Sequence, residues 1–258
     1  MNIDAPDTLN VKEFIKNTEF TGYQRIVLPS GQIIPGTNRL PLAELIFPTN
    51  FESKTVLDVG CYYGYFLHEA IRRGAGRAVG FEADAERYRI SSSLAQLWDD
   101  KVEIVQGLLE EIEYSEKFDY VFFLNVLHHV KDPLDVMQKL AKLCRGTLVV
   151  EFRQLNDQQF IYECFHKPGE VEVNTIPRSI PLKALHRLKL KAQSKLVELL
   201  TRNMPLVGVG SVEYDRSFYF SQLGFKNMFQ VHNKLFKSVQ FRPSLTPGQV
   251  LAFCDCSE

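Results

Sequence analysis

The chain has little of what marks a secreted, metal-built or membrane-borne protein. Its 258 residues include five cysteines, at 61, 144, 164, 254 and 256, an odd number with no C-x-x-C pair. That spacing argues against a disulfide framework and against a zinc site, so no metal is expected. No apolar run approaches the ~18 residues of a spanning helix, and the opening MNIDAPDTLNVKEF has no apolar signal region. A soluble, cytoplasmic chain with no membrane partner is the expectation. Neither sign of charge dominates: the net charge is −1 and the pI near 6.6, so no overall basicity advertises nucleic acid. Walker A, Ser/His/Asp and paired-carboxylate patterns do not stand out either. What is there is 45% apolar and 12% aromatic content, ample for one large α/β core with an insertion.

The most informative stretch is Val56-Leu57-Asp58-Val59-Gly60-Cys61-Tyr62-Tyr63-Gly64-Tyr65-Phe66. An apolar run ends in an acid, turns through two glycines and passes into a helical pattern. A second β-like run, Ala78-Val79-Gly80-Phe81, ends in Glu82. Gly60 and Gly64 let the backbone turn sharply and come close to a ligand, and Glu82 suits a ribose diol about 20 residues further on. The glycine order here is G-x-x-x-G, with Tyr62 where a dinucleotide fingerprint needs a small residue to admit a pyrophosphate. Asp58 repels phosphate and suits an ammonium group. A ligand with a cationic end and a ribose fits both acids, and S-adenosylmethionine is such a ligand.

Residues 54–152 resemble a class I S-adenosylmethionine-dependent methyltransferase. The resemblance rests on VLDVGCYYGYF, VGFEAD, the Gly107-Leu108 step and FDYVFFLNVLHHVKDP, four motifs in order. Within that superfamily the chain is similar to the branch around the tRNA wobble-uridine carboxymethyltransferase. It departs from that branch at Tyr62 and in lacking a Lys-Gly-Pro-Phe-like segment upstream, which favours ordinary methyl transfer. The resemblance implies S-adenosyl-L-methionine as cofactor, held by Asp58, Gly60, Cys61, Gly64, Glu82, Ala83, Gly107, Leu108 and Asn125. It implies an α/β fold, a Rossmann-like, seven-stranded, mostly parallel sheet with helices on both faces. An N-terminal segment precedes it and an α-helical insertion follows the fifth strand.

The pattern along the chain divides into four parts. Residues 1–50 read as a lead-in, with a helix over 7–17 and a hairpin built on Ile26-Val27-Leu28, Pro29-Ser30-Gly31 and Ile33-Ile34. Residues 51–153 are the cofactor-binding core, with strands at 55–59, 77–82, 102–106, 118–124 and 147–152 and helices at 63–73, 85–98 and 133–144. Residues 154–213 break the rhythm and read as an insertion on the substrate side. Residues 214–258 complete the sheet, with a helix at 215–223, a strand at 225–231 and a final antiparallel strand at 250–254.

The chemistry then falls to two regions. Asn125, His128 and His129 follow the fourth strand, whose carboxyl end faces the ligand crevice in a doubly wound sheet. By resemblance to Val-Leu-Tyr-His motifs His128 faces the site, as a base for an oxygen nucleophile or as a lining residue, and His129 supports the loop. In the insertion, residues 178–202 carry seven basic side chains against Glu198 alone, along a leucine stripe from Leu182 to Leu199. They form either a solvated face or a site in which Lys183, Arg187 and Lys191 receive an anionic acceptor. Three functions stay open: O-methylation of a small anionic or sugar-like metabolite, modification of tRNA or another RNA through the 178–202 helix, or a catalytically inactive partner subunit. The oligomeric state is not legible.

Overall fold

The computed structural model describes residues 11–98, 101–111, 113–154, 207–210 and 217–257. Its main sheet has seven strands, and its contacts divide the chain after Phe122 into two compact units. The strands are β3 (Thr55–Val59), β4 (Arg77–Glu82), β5 (Val102–Gln106), β6 (Phe118–Leu124), β7 (Cys144–Arg153), β10 (Ser238–Pro243) and β11 (Gln249–Asp255), in the order β10-β11-β7-β6-β3-β4-β5. β3 pairs parallel with β4 and β6, and β4 pairs parallel with β5. β11 runs antiparallel to β10 and to β7. The Rossmann-like order and the antiparallel final strand are those expected from the sequence.

In the first unit, α1 (Val11–Asn17) leads to the hairpin of β1 (Ile26–Val27) and β2 (Ile33–Ile34), then α2 (Leu40–Ile46). The strands β3 and β4 are short apolar runs buried along nearly their whole length, the pattern of parallel strands covered on both faces. Between them runs α3 (Tyr65–Arg72), and α4 (Ala85–Ala95) follows β4. Asp84 caps α4 by accepting the Arg87 N–H at 2.9 Å, one of the orphan donors of a helix start.

In the second unit, α5 (Pro133–Leu143) starts where Asp132-Pro133 predicts: Asp132 accepts from the N–H groups of Leu134 and Asp135 at 2.9 and 3.0 Å. Two readings of the C-terminal part are corrected. Over 217–232 the chain forms β9 (Ser217–Phe220), paired with β8 (Val207–Gly210), then α6 (Gln222–Lys226) and a π-helical turn Asn227–His232. Thus, among its described residues, the expected helix at 215–223 is a strand over Ser217–Phe220, and the expected strand at 225–231 is helical. Phe225 and Phe229 explain the second point. They lie four residues apart, on one side of a helix, and their rings meet at 4.8 Å, fully buried. The sixth strand of the sheet is instead β10, where Val239 and Phe241 alternate with polar residues. Within the anticipated insertion, the basic leucine-striped segment lies outside the described residues.

Gly80, in the middle of β4, sets how closely α3 approaches the sheet. A Cβ there would stand 2.6 Å from Leu67 Cδ1 and 2.7 Å from Cys61 Sγ. Leu67 is fully buried, so it has little room to yield. Gly80→Ala is therefore expected to destabilise the protein by about 1–3 kcal/mol, read as a lower midpoint in denaturant. Leu67→Val in the same chain should recover part of the loss. An unchanged midpoint in Gly80→Ala would show that the helix can back away at no cost.

Candidate functional site

The glycine loop of the first unit is built as a tight left-handed turn. Gly60, Tyr62 and Gly64 have φ of 78°, 59° and 84°. The N–H groups of Gly60 and Cys61 both bond to the Phe81 carbonyl, at 2.8 and 3.1 Å, so the loop is pinned to the end of β4. Glycine adopts this backbone freely and tyrosine does not, so something must hold Tyr62. Glu82 does so: its Oε2 accepts the Tyr62 N–H at 2.9 Å, while its Oε1 accepts the Asp84 N–H at 3.0 Å. The Glu82 carbonyl also accepts the Gly107 N–H at 3.0 Å, tying in the exit of β5.

Asp58 lies on β3, only 2% exposed, and its Oδ2 has no partner in the protein. Burial, followed by the nearby charge of Glu82, pushes its carboxyl up to about 8. Glu82, 5% exposed, is itself raised, first by burial, with the N–H groups of Asp84 and Tyr62 acting in the opposite direction. Two buried acids thus stand at adjacent strand ends, and one has an oxygen with no partner. That arrangement suits a cationic group and a diol and disfavours a phosphate. The Cys61 thiol is pushed well above its ordinary value, by burial first and then by Asp58 and Glu82, so it is an inert filler of the loop.

Beyond Glu82, Ala83 is exposed and Leu108 is 48% exposed. They stand at the ends of paired strands, since Glu82 is in register with Gln106. Ala83, Gly107 and Leu108 therefore offer an apolar edge beside the acid, as an adenine would need. Tyr62 packs its ring on Tyr23 and Tyr63, at 4.6 and 4.3 Å, with the Arg87 guanidinium 4.7 Å over its face. Of the predicted cofactor residues, this unit brings together Asp58, Gly60, Cys61, Gly64, Glu82, Ala83, Gly107 and Leu108.

In the second unit Asn125 follows β6 with φ of 60°. Its N–H bonds to the Glu151 carbonyl at 3.1 Å, and its Oδ1 accepts the Gln249 side-chain amide at 2.7 Å. Ser244 donates to the buried Glu151 carboxylate, so the turn between β10 and β11 is fastened beside this point. His128 and His129 lie in a short 3-10 turn, Leu127–His129, with rings 3.9 Å apart. His128 is 8% exposed, and His129 is exposed. Burial, then His129 and Arg153, pushes the His128 imidazole down to about 4. It is neutral at physiological pH, a hydrogen-bonding group and only a weak base.

Sequence reasoning missed three features. Gly80 carried the signal of an isolated glycine inside a strand, which marks a close approach of backbone. Gln24 carried none, because its partners are about forty residues away. His68 gave no sign of being a core group: it stacks on Trp98 at 5.0 Å, and burial pushes it down to about 4. Lys183, Arg187 and Lys191 lie outside the described residues. Among the described residues no helix is long and apolar enough to cross a membrane.

Comparison with known proteins gives the same picture. A methyltransferase-domain family model matches residues 33–199. The tRNA U34 carboxymethyltransferase of Helicobacter pylori strain G27 is 35% identical over 109 residues, 40% of this chain and 42% of that protein. That of Idiomarina loihiensis is 32% identical over 108 residues, 40% of this chain and 33% of that protein. The matches therefore span less than half of these relatives' length. Among solved structures, the N-terminal domain of EvdMO1, determined with S-adenosylhomocysteine and D-fucose, aligns with a TM-score of 0.59 at 12% identity, covering 96% of this chain and 97% of that one. Magnesium protoporphyrin IX methyltransferase from Synechocystis PCC 6803, with bound S-adenosylhomocysteine, aligns with a TM-score of 0.50 at 13% identity, covering 84% and 80%. At those identities the likeness is one of fold.

The buried acid makes a prediction about stability. Between its ordinary value of 3.8 and about 8, folded Asp58 keeps a proton that the unfolded chain has lost. Its contribution to stability is therefore full below about 3.8 and is lost as pH rises through about 8. For the ligand-free protein, the melting temperature of Asp58→Asn minus that of the wild type should grow by several degrees from pH 5 to pH 8, at about 2–4 °C per kcal/mol. A difference independent of pH would contradict a buried carboxyl raised in this way.

Proposed function

Because the chain belongs to the class I S-adenosylmethionine-dependent methyltransferase family, we propose that its acidic strand ends hold the cofactor and that its acceptor is a nucleoside of RNA, of the tRNA kind. The observation that supports the first part is the pair of buried carboxylates, one of them with an unpartnered oxygen. Asp58 would take the ammonium end of the methionine chain and Glu82 the ribose hydroxyls, with Ala83, Gly107 and Leu108 against the adenine. Asn125 is assigned to the same cofactor by the sequence pattern. The bound cofactor supplies a methyl group already activated on sulfur, so the protein's task is mostly to position and orient.

The tRNA reading draws on the 35% identity to a tRNA U34 carboxymethyltransferase. A small anionic or sugar-like acceptor is the second reading, favoured by a net charge of only −1, low for a protein that must grip a polyanion. In both readings the proposed nucleophile is an oxygen, and His128 serves it. A neutral imidazole accepts a hydrogen bond from a hydroxyl and orients it. With its imidazole near 4, His128 should leave no activity step close to pH 6.5. His129 would support the turn. Lys183, Arg187 and Lys191 are the proposed contacts for an anionic acceptor.

Three measurements test these assignments. Glu82→Ala should weaken S-adenosylhomocysteine binding by about 1.5–3 kcal/mol, roughly ten- to hundredfold in Kd by calorimetry; unchanged affinity would remove the ribose assignment. Incubation with methyl-labelled S-adenosylmethionine and bulk tRNA, followed by mass spectrometry of the nucleosides, should show one labelled nucleoside. Label found only in small metabolites would favour the second reading. His128→Ala should lower turnover by ~10²–10⁴ with cofactor affinity little changed if it takes the proton, and less if it only orients.

A further inference from the structure

The first unit holds its glycine loop through a residue far away in sequence. Gln24 sits just before β1 and is 4% exposed. Its side-chain Nε2 donates to the Cys61 carbonyl at 3.4 Å, and its Oε1 accepts the N–H groups of Tyr63 and Tyr65 at 3.2 and 3.3 Å. The Tyr65 N–H is one of the donors that the start of α3 leaves without a helical partner, the Tyr63 N–H lies just before it, and the Cys61 carbonyl also accepts the Gly64 N–H at 2.9 Å. The N-cap position of α3 is Gly64, which has no side chain with which to cap. Gln24 supplies the missing acceptor from another element.

The lead-in segment is itself held tightly. The Arg25 N–H bonds to the Thr37 carbonyl at 3.0 Å, and the Thr37 N–H to the Gly22 carbonyl at 2.9 Å. A Cβ at Gly36 would lie 2.5 Å from the Gln24 carbonyl carbon, so only glycine lets the segment close on this point. Just before Gln24, Thr21 is hydrogen-bonded to the Tyr62 hydroxyl and the Tyr23 ring rests on Tyr62. Phe20 meets Tyr63 edge-on at 5.7 Å.

From this geometry we infer that Gln24 is a positioning residue for cofactor binding. It fixes the backbone from Cys61 to Tyr65 in the conformation that the cofactor meets. The inference rests on the cofactor site assigned above. The amide is the functional group required, because one end must donate to a carbonyl while the other accepts two N–H groups. An ionised carboxylate has no proton to donate, and it would set a negative oxygen against the Cys61 carbonyl. A protonated carboxylic acid has the same layout of donor and acceptor as the amide.

That difference gives a test that loss of packing alone would not pass. Calorimetry with S-adenosylhomocysteine is run on wild type, Gln24→Ala and Gln24→Glu at pH 8 and at pH 5.5, with folding checked by circular dichroism. Gln24→Ala should raise Kd about tenfold relative to wild type at both pH values. Gln24→Glu should be comparably weakened at pH 8 and should recover towards wild type at pH 5.5, where a buried carboxyl takes up its proton. If Gln24→Ala does not fold, the pH-dependent recovery of Gln24→Glu carries the test. Folded variants that bind as wild type at both pH values would overturn the inference while leaving the cofactor site standing. A wild type that does not bind would overturn both.

Discussion

Glu82 is the joint that holds the glycine loop of the first unit in place. Its side chain accepts one N–H from the glycine loop and one from the start of α4, and its carbonyl takes the N–H at the exit of β5. Three separate segments are thereby fixed around the end of one strand. The arrangement requires a carboxylate where burial disfavours one, and its charge helps push Asp58 up to about 8. In the free protein Asp58 therefore keeps its proton beside the Glu82 charge. A nearby cation favours its ionised form, and a phosphate disfavours it.

Much of this was legible in the sequence because the signals are local. Asp58, Gly60, Gly64 and Glu82 announce themselves by type and spacing, and strands such as Thr55–Val59 and Phe118–Leu124 have the expected bounds because their apolar runs are short and cleanly ended. What could not be read depends on contacts distant in sequence. Gln24 looks like any polar residue beside a hairpin until the fold carries it to the loop. His68 and Trp98, distant in sequence, become core partners only when the fold stacks their rings. At 225–231 the error was one of period: Phe225, Met228 and Phe229 have helical spacing, which a strand reading overlooked, while the alternation at 238–241 went unused.

The second unit has a different economy of polar groups. Asn125 is held in a left-handed backbone conformation by the Glu151 carbonyl and by the side chain of Gln249, and Ser244 secures Glu151. Hydrogen bonds between strands and turns therefore set the region that the sequence assigns to acceptor chemistry. Leu127, fully buried, anchors the 3-10 turn that carries the two histidines. Burial first of all keeps His128 neutral in that frame, so its imidazole is a hydrogen-bonding group more than a base.

The claim at the centre of this account is that Asp58 is protonated in the free protein and ionised opposite the cofactor's ammonium group. Calorimetry of S-adenosylhomocysteine binding at pH 7, in buffers of different ionisation enthalpy, counts the protons exchanged directly. Net proton release is expected for the wild type, and its loss in Asp58→Asn. Binding with no dependence on the buffer, or with proton uptake, would contradict it.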